Sequence, residues 1–244
     1  MKAKLSALIP IVVGLLGMVL ERLMAATAFE AGSGLAVPGA KAIVLLAAFF
    51  VLILLLALAA SLPMRGRKAV MENMYHIGAY GLVLGIFAAL CVMAGGVLQL
   101  LQGTAQKAEL AAAVLLIAAG IGMFWLAMRG SRTCGTASVW ELLPGFGCCL
   151  WLICFYQDNA RDPEITHYCW SLLAMMAILL ALYLQARCAF GGGYRGRTLA
   201  LTICAVVFGI AVLPEAESAG ELLLTAGLSL WLLRRWPCLF REGE

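Results

Sequence analysis

Residues 42–60 read AIVLLAAFFVLILLLALAA, a run without one charged or hydrogen-bonding side chain. A helix that is apolar on every face has to be surrounded by protein or by lipid. At 1.5 Å per residue, about 20 such residues match the ~30 Å hydrocarbon thickness of a bilayer. The run has several companions. Of the 244 residues, 64% are hydrophobic and 12% charged, about half the charged share of a soluble domain. No gap between the runs is long enough to bury a core of its own. The expected fold is therefore all-α: a polytopic transmembrane helix bundle forming a single integral-membrane domain over 1–244.

Eight spans are expected, at about 6–27, 42–60, 79–101, 110–128, 138–156, 167–186, 198–214 and 219–235. The last is cleanly apolar only over Leu222 to Leu233, and the count falls to seven if it is re-entrant. Charge placement sets the orientation. With an inside N-terminus, 13 of the 17 basic residues face inward, among them Lys2, Lys4, Arg65, Arg67, Lys68, Arg129, Arg187, Arg197 and Arg241. The acids Glu30, Glu109, Asp158, Asp162, Glu164, Glu215, Glu217 and Glu221 fall on the outer side, which keeps Arg22, Lys41, Lys107 and Arg161 as its basic residues. By the positive-inside rule both termini are cytoplasmic, and Arg234 and Arg235 require the eighth crossing. The chain is expected in the cell membrane, with the lipid bilayer as its first partner.

The N-terminal stretch has the basic start and apolar core of a signal peptide, with ATA at 26–28 as a small-residue site. Glu21 and Arg22 intervene before that site, which favours an uncleaved first span. PMRGR (63–67) and GYRGR (193–197) recur at an offset of 130, a weak sign of a 4+4 duplication with halves of about 1–130 and 131–244. The positive-inside rule alone also repeats inner arginines.

Few polar groups interrupt the oil. Glu141 lies about one turn into the fifth expected span, and Pro144, Gly145 and Gly147 follow it. Proline and glycine weaken or break helices. Broken helices beside a carboxylate recur at transporter ion and substrate sites, so Glu141 and Pro144 are candidates for a substrate or ion pathway. The competing reading is a shallow glutamate snorkelling to the interface or pairing with Arg129 or Arg132. Between spans five and six, Asp162-Pro163-Glu164 carries a helix-start pattern: an N-cap acid, proline at N1, and a first-turn acid. Asp158, Asp162 and Glu164 also suit an outward, cation-attracting vestibule, although a solvated loop with an Asp158–Arg161 pair accounts for the same residues. Gly81, Gly85 and Ala89 form a small-residue stripe for close helix packing, within the chain first and as a protein-partner or homodimer face second.

Several chemistries lack their residues. The two histidines, His76 and His167, are expected on opposite faces, and no HExxH or Walker A pattern occurs. The nine cysteines mostly sit in apolar runs without paired CxxC spacing and read as buried packing groups. No catalytic residue, metal or cofactor is expected, and no nucleic-acid binding. The best functional expectation is a transporter or permease component for a small solute or ion. The alternative is a non-catalytic structural or assembly subunit of a membrane complex.

Overall fold

In lipid, an isolated apolar segment can satisfy its backbone amides only as a helix. The computed structural model describes residues 7–29, 37, 40–64, 66, 78–102, 107–129, 137–160, 168–190 and 192–239. Among them, eight long helices follow in order: α1 (Leu8–Thr27), α2 (Lys41–Ser61), α3 (Ala79–Leu101), α4 (Lys107–Arg129), α5 (Ala137–Asn159), α6 (Cys169–Ala189), α7 (Arg195–Ala211) and α8 (Ala219–Leu233). A short α9 (Trp236–Leu239) ends the described chain, and 3-10 turns cover Leu62–Met64 and Leu213–Glu215. Each expected apolar segment corresponds to one helix. Five of them, α1, α2, α3, α4 and α6, are long and apolar enough to cross a membrane.

The other three are more enclosed or more polar. The helices α7 and α8 have 17 and 15 residues, or about 25 and 22 Å at 1.5 Å per residue, short of the hydrocarbon thickness. They are also the buried centre. Leu199, Cys204, Ala205, Val206 and Val207 of α7 and Leu224, Leu228, Trp231 and Leu232 of α8 are almost fully enclosed. A helix walled in by other helices need not match the lipid thickness. By contrast α1 and α2 expose Leu8, Ile9, Val12, Val19, Val44, Leu52, Leu55 and Leu56. Side chains of that kind, bare along whole helices, are a lipid-facing surface.

Helix contacts close a cycle: α3 packs on α4, α4 on α5, α5 on α6, α6 on α7, α7 on α8, and α8 on α3. The pair α1 and α2 is attached outside this ring, chiefly through α7. Apolar burial contributes little between helices when lipid is the alternative neighbour, so close van der Waals fit has to hold the ring. Small residues supply it. Gly95 of α3 lies against the Gly220 carbonyl of α8, where an added Cβ would stand 2.8 Å from that oxygen. Gly227 meets the Ala88 carbonyl, and Gly96 meets Ala113 and Ile117 of α4. The Gly81, Gly85, Ala89 stripe belongs to this seam. All three are buried, and Gly85 faces Ala127 and Arg234. The stripe is thus internal packing, and its surface is already covered by the chain's own helices rather than free for a dimer.

An aromatic cluster ties α2 to the ring. Phe50 stacks on Trp170 of α6 with centroids 5.1 Å apart and meets Phe208 of α7 edge-on at 4.4 Å. Such pairs contribute about 0.5–1.5 kcal/mol each beyond area burial.

Pro144 corrects one expectation. It sits inside α5, which runs unbroken from Ala137 to Asn159. Proline removes the N–H that would bond the Trp140 carbonyl, but both neighbours of this turn are held from outside. Trp140 packs on Gly122 of α4 and on Trp125 at 5.9 Å, and Gly147 lies against Leu116. Tertiary packing keeps the helix continuous through the weak point. The start of α6 differs as well. Its described part begins at Cys169 with Tyr168 at the N-cap and no side-chain cap; the Asp162-Pro163-Glu164 pattern lies outside the described residues.

Candidate functional site

The ring carries charged groups at its two ends, and between them a mostly apolar middle with the hydroxyls of Thr202, Thr225 and Ser229 buried in it. At one end meet the last turns of α3 and α5 and the first turns of α4 and α8. They enclose a cavity of about 290 Å³ lined by Gln99, Gln102, Glu109, Trp151, Cys154, Phe155, Asp158, Asn159, Glu217, Ser218 and Glu221. Four of these are carboxylates, and none is lysine or arginine. The α8 wall is organised by its own start signal, S-x-x-E at 218–221. The Ser218 hydroxyl accepts from the Glu221 N–H at 3.1 Å, and the Glu221 carboxylate accepts from the Glu217 N–H at 3.1 Å. This is a variant of the capping box: Ser218 satisfies the orphan amide of Glu221, and the Glu221 side chain reaches back to the N–H just ahead of the N-cap. On α5, the Asn159 amide donates to the Phe155 carbonyl at 2.9 Å, fixing a last-turn side chain of the facing wall.

A carboxylate-lined cavity concentrates cations and repels anions. Glutamine and asparagine amides add neutral hydrogen-bonding groups that suit a polar, partly hydrated guest. Trp151, Cys154 and Phe155 give one apolar side for a carbon skeleton. Deeper along the ring stand Val92, Leu116, Cys148, Leu224 and Leu228, all buried. The polar groups described at that depth are hydroxyls: the Ser229 hydroxyl of α8 donates to the Thr225 carbonyl of its own helix at 2.8 Å.

At the opposite end, the first turns of α5 meet the end of α8. Glu141 is 3% exposed and accepts a charge-assisted hydrogen bond from Arg235, with Arg234 at 3.8 Å. Arg234 also lies over the Trp231 ring at 3.7 Å, a cation–π contact. Gly85 makes room for it: an added Cβ there would stand 2.7 Å from Arg234 Cδ. Gln185 of α6 donates to the Leu232 carbonyl at 3.3 Å beside this cluster. Glu141 is thus paired with arginines more than 90 residues away; Arg129 instead lies over Trp125 at 4.4 Å, and Arg132 lies outside the described residues.

Of the residues singled out in the sequence, Asp158 is at the cavity, while Glu141 and Pro144 lie toward the other end of the same helix. Seventeen residues of α5 separate Glu141 from Asp158, about 25 Å at 1.5 Å each. The two are therefore not one constellation. Asp162 lies outside the described residues, as do both histidines. Glu109, Gln99, Glu217 and Glu221 complete the cavity. The last of these was missed as a site residue in the sequence, although a signal that could have found it was there, the S-x-x-E pattern at 218–221 ahead of an apolar run. Among the described residues no three His, Cys, Asp or Glu side chains gather as a metal set, and the eight described cysteines are free thiols.

An all-α ring with several long apolar helices, bare apolar flanks and an acidic cavity at one end belongs to the class of multi-pass helical membrane proteins. The chain matches no family model, no curated protein and no solved structure.

Proposed function

We propose that the chain is a transport or permease component of the cell membrane whose acidic cavity receives a small cationic solute. In this reading it crosses the membrane eight times with both termini cytoplasmic. Glu109, Asp158, Glu217 and Glu221 then line an outward vestibule, and Arg129, Arg187, Arg195, Arg197, Arg234 and Arg235 mark the cytoplasmic end. The observation that carries the proposal is the cavity itself: four carboxylates and, among the described residues that line it, no lysine or arginine, at one end of a six-helix ring.

The chemistry is binding and passage, with no catalytic role assigned. The carboxylates draw in a cation and replace part of its hydration, the amides orient it, and Trp151 and Phe155 cover its apolar part. Passage requires the apolar layer of Leu116, Leu224 and Leu228 to part. The Glu141–Arg235 pair, with Arg234 beside it, is the closure on the cytoplasmic side. An arginine-rich closure also opposes leak of a bound cation while the vestibule is open.

Thermal unfolding of the purified protein against small amines, polyols and carboxylates tests the reading. Binding to the folded state raises the melting temperature by mass action. The expected result is stabilisation by amines such as methylammonium or putrescine, absent with carboxylates and lost in the Asp158→Asn, Glu217→Gln double variant. Stabilisation by anions alone, or by nothing in the panel, would contradict a cation vestibule. The latter outcome favours the assembly-subunit reading.

A further inference from the structure

Outside the ring, where α1 meets the end of α7, two more carboxylates are sunk among apolar side chains. Gly14 and Gly17 of α1 lie against Ile210 and Ala211 of α7. Glu21 follows Gly17 by one helical turn, so it continues the same contact line onto the turn Leu213–Glu215. Glu21 is 3% exposed, and its Oε2 has no hydrogen-bond partner. Glu215 accepts from the Ser171 hydroxyl of α6 through Oε2, while its Oε1 is enclosed without a partner. Burial pushes the Glu215 carboxyl up to about 8; the Ser171 hydroxyl pulls it partway back, and the charges of Glu21 and Glu221 raise it.

The charges around this pair do not neutralise it. From α1, Arg22 is the cation whose field reaches Glu21, but its side chain is exposed and points about 100° away around the helix. Lys41 at the start of α2 is exposed. The α6 side brings Cys169 and Ser171, and the α8 side brings Glu221, whose carboxylate is bonded to the Glu217 N–H. Two carboxylates enclosed together, with one oxygen of each lacking a donor, are strongly unfavourable when both are ionised. A proton removes one charge and supplies the missing donor at once.

We propose that Glu21 and Glu215 form a proton-binding pair that holds one proton at neutral pH, with Ser171 fixing the Glu215 carboxylate. The pair lies on the α1–α7 seam and does not depend on the transport reading. Glu215 ends the Leu213–Glu215 turn, which leads within six residues to Glu221 of the cavity wall.

Infrared titration of the full chain in lipid nanodiscs reads this directly through the C=O stretch of protonated carboxyls. The wild type should show such a band at neutral pH, lost as pH rises through about 8. Glu215→Gln should remove that transition. Glu21→Gln should lower its midpoint by about one pH unit or more, because the like charge is gone. Ser171→Ala, which leaves both carboxylates in place, should raise the midpoint by removing a donor to the ionised form. A wild type without such a band at neutral pH, or a midpoint unmoved by both Glu21→Gln and Ser171→Ala, would overturn the proposal. A midpoint that follows sodium concentration at fixed pH and ionic strength would assign the site to a metal cation and overturn it equally.

Discussion

Glu141 is held by two arginines in a place where water does not reach, and the consequences are those of a buried ion pair. Removing one partner of such a pair costs about 3–5 kcal/mol, because the other charge is stranded, whereas removing both is far cheaper. Glu141→Gln should therefore lower thermal stability sharply, and adding Arg235→Met to the same chain should recover part of the loss. Equal and additive losses would mean that the two groups do not depend on each other. Glu215 calls for a different measurement. Its folded value of about 8 lies above the usual 4.5, so between those values the folded state binds the proton and the unfolded state does not. The contribution is fully present below about 4.5 and is lost as pH rises toward about 8. Melting temperature should accordingly fall across that window, and Glu215→Gln should flatten the slope; an unchanged slope would exclude Glu215 as its source. The sequence made Glu141 conspicuous as a charge inside an apolar run. It did not reveal the partners, because Arg235 lies 94 residues away, just past the end of α8, and only the closing of the ring brings it to the first turns of α5.

At the scale of elements, helix positions follow from apolar run length, since a run of about 20 residues in lipid has one backbone solution. Whether a run is interrupted is another matter. Pro144 carries the local signal of a break, yet α5 is continuous, because the packing of Trp140 on Gly122 and of Gly147 on Leu116 is a property of the neighbouring helix. The stripe of Gly81, Gly85 and Ala89 was legible as a close-packing face, but its partners were not. The same seam yields a stability prediction. At Gly95 an added Cβ meets the Gly220 carbonyl and the Leu224 amide nitrogen, backbone atoms that cannot rotate away. Gly95→Ala should destabilise by about 1–3 kcal/mol through overpacking. Gly145, with nothing near an added Cβ, should accept alanine without loss; the reverse ranking in thermal unfolding would contradict the packing described for α3 and α8.

Across the whole molecule the governing features are the closed ring and its polarity. The gathering of Glu109, Asp158, Glu217 and Glu221 at one end and of Arg129, Arg234 and Arg235 at the other is legible from charge placement between runs. Ring closure is not, since it depends on α8 returning to α3, a contact between segments more than 100 residues apart. For that reason Asp158 was visible as a loop acid, while its grouping with Glu109, Glu217 and Glu221 around one cavity emerges only in three dimensions. The proposed role of that cavity is to receive a small cation. Native mass spectrometry of the protein released gently with its surrounding lipid tests it most directly. A stoichiometric small basic molecule should accompany the wild-type chain and be missing from the Asp158→Asn, Glu217→Gln variant. A chain that carries only lipid, or lipid and a stoichiometric protein partner, would contradict it.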